Sequence, residues 1–225
     1  MGNYFEYVMS SFPGSPRLSK GAIEIIDTTG AVTPKFIFFQ YNPDSISRTL
    51  TPKDSKQGDN NSEPFRLEGA PEETITVDIE LDATDKLEFP QQNFVTVLLG
   101  ISPQLAALET LIYPKVSRIM ENELLAESGK MEIIPPVGPL TVFIFGIDRA
   151  LPVKITQFSI TEEAYDNHLN PIRAKVSISM KVLTYSYLQP STIAYKLYQA
   201  NHLIKEASAT QELESISGFN IGTML

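Results

Sequence analysis

The chain has 225 residues, enough for one large β domain or two small ones and enough to bury a sizeable core. Its formal charge of −9 and sequence pI near 4.8 argue against nucleic acid or an anionic membrane as main partner, since both require a basic footprint. With no cysteine, disulfides and thiolate metal sites are excluded.

Residues 1–19 are rich in Ser, Pro and Gly and are expected to form an irregular arm. The start, Met1-Gly2-Asn3-Tyr4, lacks a cationic n-region and a long apolar h-region, so no secretory signal is expected. No apolar run approaches the ~20 residues that cross a bilayer, so no membrane insertion is expected. Residues 21–27 read as a strand, and residues 35–41 as another. The unbroken run Phe36-Ile37-Phe38-Phe39 suggests burial on both faces. Pro43 biases Asn42 away from the helical region and marks a turn. Beyond it, Ser45-Ile46-Ser47-Arg48 restarts as a polar strand.

Residues 51–71 form the clearest long loop, with Asp54 and Lys56 as candidate contact residues; such loops commonly order against a partner. Residues 74–82 then alternate strictly. Ile75, Val77, Ile79 and Leu81 point one way, while Asp78, Glu80 and Asp82 form an acidic row on the other. That row is too acidic to bury unpaired, so it should meet solvent, a lumen or basic groups of a neighbour.

A helical insert is expected over residues 102–128. Ser102-Pro103 offers a cap and first turn, and Leu105, Leu108 and Ile112 follow at helical spacing. A second helix carries Val116, Ile119, Met120 and Leu124 on one side. Strands follow over residues 140–147, 153–162 and 173–187, with a hairpin turn at residues 166–171. Ser191 can cap a last helix whose apolar stripe is Ile193, Leu197, Ala200 and Ile204. Tyr195 and Tyr198 lie beside that stripe and are candidates for a docking face, with core or tail packing as the competing reading. The element order predicts an α+β, mainly β fold: an antiparallel barrel or sandwich with a helical insert and a C-terminal helix. The expected division is an arm over 1–19, a β-domain over 20–188, and a helix with tail over 189–225.

The sequence carries no catalytic motif. The spacing of Asp78, Glu80, Asp82 and Asp85 imitates the start of an EF-hand loop, but Ala83 stands where the loop needs glycine, and a strand explains the same spacing without metal. His168 and His202 are the only histidines, and neither has a second ligand at metal spacing. There is no Gly-x-Ser-x-Gly elbow and no phosphate-binding glycine loop. No catalytic residue, cofactor or metal is therefore expected.

Four segments resemble one known family. They are Ile37-Phe38-Phe39-Gln40-Tyr41-Asn42-Pro43 with Ser45–Arg48; Val77 through Asp85; Pro135-Pro136 with residues 140–146; and Gln157–Ile160 with Asn170-Pro171-Ile172-Arg173-Ala174-Lys175-Val176. In order and spacing they resemble the tube-type domain of a baseplate protein from contractile injection systems, the LysM-containing tube–spike adaptor family. The resemblance implies a tail-tube-like β-domain. It also implies a ring, hexameric in the family, that joins the inner tube to the spike and other baseplate subunits. Only 35 residues follow Pro190, so no LysM module is expected. The resemblance further implies assembly in the cytoplasm into a phage-tail-like particle. An inner-tube or tube-terminating role is the alternative within this class. A β-sandwich carbohydrate-binding module or hydrolase is the alternative outside it, weakened by the absence of tryptophan.

Overall fold

The computed structural model describes residues 19–26, 35–53, 69–127, 138–146 and 148–216. Among them are seven strands: β1 (Ala22–Ile26), β2 (Lys35–Phe38), β3 (Ile46–Thr51), β4 (Glu72–Asp82), β5 (Leu140–Ile144), β6 (Ala150–Tyr165) and β7 (Pro171–Val182). They form one sheet in the order β2-β1-β5-β6-β7-β4-β3, and every pairing is antiparallel. The alternation of β4 holds: Ile75, Val77, Ile79 and Leu81 are buried, and Asp78 and Glu80 are exposed. β7 contributes Ala174, Val176, Ile178, Met180 and Val182 to the same core.

The sheet is rolled, and its two outer strands show why. β2 and β3 are consecutive in the chain, joined by residues 39–45. Phe39 N–H donates to Gly21 O at 2.9 Å, extending the pairing with β1. The next residue, Gln40, clasps the end of β4: its Nε2 donates to Asp82 O and its Oε1 accepts from Asp82 N at 3.1 Å. In a flat sheet β1 and β4, with three strands between them, would lie about 19 Å apart. Neighbouring residues cannot span that gap, so the sheet curls until β2 and β3 act as two halves of one bent closing strand.

Burial over the Phe36–Phe39 run is narrower than expected. Phe39 is buried, Phe36 and Ile37 are half-buried, and Phe38 is exposed. β2 is a four-residue outer strand, so only its end turns under the sheet.

The insert between β4 and β5 starts at Thr84, not at Ser102. It holds α1 (Thr84–Leu87), α2 (Phe94–Leu99), α3 (Ser102–Glu109) and α4 (Val116–Glu127). Backbone bonds bolt it to the start of β7: Ala83 N–H donates to Ile172 O at 2.8 Å and Ile101 N–H to Pro171 O at 2.8 Å. α3 sends Leu105 and Leu108 into the core, and Leu111 follows. Each such leucine stabilises by about 1.5–3 kcal/mol. Ile112 is exposed, because the helix ends at Glu109 and residue 112 falls off its repeat.

The C-terminal helix α5 (Ile193–Ile216) is capped by Thr192 rather than Ser191: Tyr195 N–H donates to Thr192 Oγ1 at 3.3 Å. Its buried face is Ala194, Tyr198 and Asn201, whereas Ile193 and Ile204 are exposed. The helix docks through a tyrosine ring and an amide, with Asn201 Nδ2 donating to Asp148 O at 2.6 Å. Aliphatic periodicity cannot register such a face.

Candidate assembly surfaces

The acidic row of β4 stands beside β7, which returns cations at matching positions. Asp78 pairs in register with Ser177, Glu80 with Lys175 and Asp82 with Arg173. Arg173 reaches Asp82 Oδ2 with Nη2 at 2.8 Å and Nε at 2.9 Å. Burial pushes the Asp82 carboxyl up, but hydrogen bonds from Thr84 and the Arg173 guanidinium outweigh it and hold the group below its ordinary value. Lys175 Nζ lies 3.8 Å from Glu80 and 3.2 Å from Glu163. These groups line a cleft of about 360 Å³ with Tyr41, whose hydroxyl donates to Asp85 at 3.2 Å. The row is thus a striped surface, compensated within the chain at Glu80 and Asp82, with Asp78 exposed opposite a serine. Glu80 and Glu163 are bridged by an ammonium rather than open to a sugar ring.

A second polar cluster sits at the other end of β4. Glu72 Oε1 accepts from Tyr187 Oη at 2.6 Å, with Lys181 Nζ at 3.0 Å and Lys53 Nζ at 3.5 Å. The tyrosine hydrogen bond, followed by that from Lys181, lowers the Glu72 pKa from 4.5 to about 2. A carboxylate depressed on folding adds stability above its unfolded value and loses it as pH falls through the folded value. Wild-type protein should therefore lose stability between about pH 4.5 and pH 2 partly through this group. Glu72→Gln should flatten that part of a urea-midpoint titration; an unchanged acid slope would count against the network.

Next to it, Glu73 turns inward and is 3 % exposed. Arg48 Nε donates to its Oε1 at 2.7 Å, and Lys205 Nζ lies 3.4 Å from Oε2. One carboxylate thereby joins β3, β4 and α5. Tyr198 packs edge-on to Tyr185, ring centres 6.0 Å apart. Burial first, and the Glu73 charge second, raise the Tyr198 hydroxyl pKa. Of the two candidate docking tyrosines, Tyr198 is buried and Tyr195 half-buried. Asp54 and Lys56 lie outside the described residues.

Two helices of the insert, α2 and α4, show the reverse of a core. On α2, Phe94, Val95, Val97, Leu98 and Leu99 are all exposed. On α4, Val116, Met120 and Leu124 are 68 %, 58 % and 66 % exposed. Solvated polar faces need no partner, whereas exposed apolar helices of this kind mark interaction surfaces.

No family model matches the chain. No curated protein is similar to it at a significant level. Among solved structures it is similar to a chain of "Tail of empty GTA particle computed with helical refinement, C6 symmetry", at 15 % identity. The match covers 72 % of this chain and 90 % of that one, with a TM-score of 0.30. At that score the likeness fixes neither architecture nor role.

Among the described residues no group of three or more His, Asp or Glu side chains is arranged to hold a metal ion, and no helix is long and apolar enough to cross a membrane. His168 sits in the β6–β7 turn, where its backbone N–H donates to Asp166 Oδ1 at 2.7 Å. His202 is exposed on α5, 3.8 Å from Glu206. Sequence patterning finds the β4 row but misses Glu73 and the α2 surface. Alternation with Ile75 and Val77 is the signal that places residue 73 on the inward face.

Proposed function

We propose that the chain is a structural, non-catalytic subunit of a phage-tail-like contractile injection system, forming a baseplate ring that joins the inner tube to the spike. The observation that carries this reading is where the four resemblance segments fall. Apart from Pro135-Pro136, which lie outside the described residues, they fall on the β2–β3 closing strand, β4 and its end, β5, and β6 with β7, all in one rolled sheet. The striped β4–β7 surface and the apolar insert supply the polar and apolar contacts that a subunit of a closed ring requires. The sixfold number comes from the family that the sequence resembles.

The test is electron cryo-microscopy of the assembled machine. Density for this chain as a ring on the central axis, between tube and spike, is expected; a single copy or an off-axis position overturns the reading. A second experiment addresses the β4 face. Asp78→Lys with Glu80→Lys should cost less than about 1 kcal/mol, since both residues are exposed and only Glu80 loses a cross-strand partner. Incorporation into particles should fall sharply if basic groups of a neighbour meet this face, and normal incorporation would assign the contact elsewhere.

A further inference from the structure

Among the described residues, two stretches of strand have a neighbour on one side only. β6 runs from Ala150 to Tyr165, but β5 pairs with residues 150–153 alone. Beyond Val153, β6 is paired with β7 and with no other described strand. At the end of the strand order, β3 is paired only with β4. An open edge is a template for another strand, and chains that must stay monomeric guard it with Lys, Pro or bulges. β6 has irregularities between Ile155 and Gln157 and between Glu162 and Ala164, which leave an even register over Gln157–Glu162. That run has the length of β3, Ile46–Thr51. Neither run contains Lys or Pro.

The two runs match side for side. Phe158, Ile160 and Glu162 lie opposite Ile178, Val176 and Ala174 of β7, on the core side of the sheet. Ile46, Arg48 and Leu50 lie opposite Val77, Ile75 and Glu73 of β4, on that same side. The other side shows Gln157, Ser159 and Thr161 on β6 and Ser47, Thr49 and Thr51 on β3, all exposed. A slip of one residue would set apolar side chains against hydroxyls, so the pairing has a fixed parity. The only charges in the two runs, Arg48 and Glu162, differ in sign, so no like charges meet.

Direction selects which copies can meet. β3, β4, β7 and β6 are four neighbouring strands of alternating direction. An even number leaves the outer two opposed. β3 of a copy related by simple rotation therefore meets β6 antiparallel, like every other pair in the sheet. Pairing β6 with β6 would leave both β3 edges open, whereas β3 on β6 covers both edges in a closed ring.

We propose that β3 of one copy adds to residues 157–162 of β6 in the next, so that the sheet continues from subunit to subunit. The contact rests on the ring reading above and names the strands that close the ring.

The wild-type chain has no cysteine, which permits a direct test on the full-length protein. Thr49→Cys and Ser159→Cys are made separately and treated with a short thiol cross-linker, each alone and as a mixture, at concentrations where copies associate. Cross-linked dimers are expected in the mixture and not in either variant alone. Leu50 is 48 % exposed in the single chain but would sit on the apolar side of the seam. Leu50→Lys should therefore weaken self-association in sedimentation at least about tenfold, with an unchanged melting temperature. Normal association of Leu50→Lys overturns the proposal, as does cross-linking of Ser159→Cys with itself. A link within one chain of the double variant, formed at high dilution, would show that the sheet closes on itself and overturns it too. A ring in which the mixture gives no link overturns this pairing and leaves the ring reading standing. A protein that stays monomeric at every concentration, in solution and on the particle, overturns both.

Discussion

Replacing Gly100 with alanine is expected to cost about 3 kcal/mol and to loosen the helical insert from the sheet. Gly100 has φ +58° and ψ −132°, a backbone conformation that side chains strongly disfavour. A Cβ built there would lie 2.1 Å from the Pro171 carbonyl oxygen. That oxygen accepts the Ile101 N–H at 2.8 Å, and beside it Asn170 Nδ2 donates to Leu98 O at 3.1 Å. The clash is with backbone, so no side chain can swing away. Conformational strain contributes about 1–3 kcal/mol, and each displaced hydrogen bond about 1 kcal/mol more. Urea unfolding reads the total, and limited proteolysis within residues 84–127 reads the local loosening. A loss under about 0.5 kcal/mol, the ordinary surface value, would mean that the insert is not held by this junction. The consequence reaches the exposed apolar side chains of α2, because that helix ends at this glycine.

How much of this was open to inspection in the sequence depends on the range of the forces involved. β4 and β7 are legible because burial on one face writes a period of two into the chain. The turn at residues 166–171 is legible because Asp166 and Asn170 do local work: Asp166 Oδ1 accepts from both His168 N and Asn170 N. α2 is not legible. Phe-Val-Thr-Val-Leu-Leu favours a strand by local preference, yet it forms a helix that ends at Gly100, where the chain is held to Pro171. The acidic row was visible, but not the cations beside it. Lys175 and Arg173 lie opposite Glu80 and Asp82 only because of the β4–β7 register, which the sequence does not encode locally. The face of α5 escaped for a similar reason, since Tyr198 and Asn201 find their partners at Tyr185 and Asp148.

The Glu73 junction should give the other large effect. Glu73→Gln is expected to cost about 2 kcal/mol, and Glu73→Ala more because it also leaves a void. Breaking a fully buried ion pair costs about 3–5 kcal/mol. Here the side chains of Arg48 and Lys205 are 29 % and 43 % exposed, so both cations recover part of their hydration and the loss is smaller. The glutamine variant keeps the shape and removes the charge, which separates electrostatics from packing. Its second readout is Tyr198: without the Glu73 carboxylate the tyrosine should ionise at lower pH, because one of the causes that raise its pKa is gone. Hydrogen exchange over residues 193–205 should quicken as α5 loosens. A double-mutant cycle with Lys205→Met tests the link itself. Coupling near zero would show that Tyr198 and Asn201 hold the helix unaided, and measurable coupling would make Glu73 the tie between α5 and the rolled sheet.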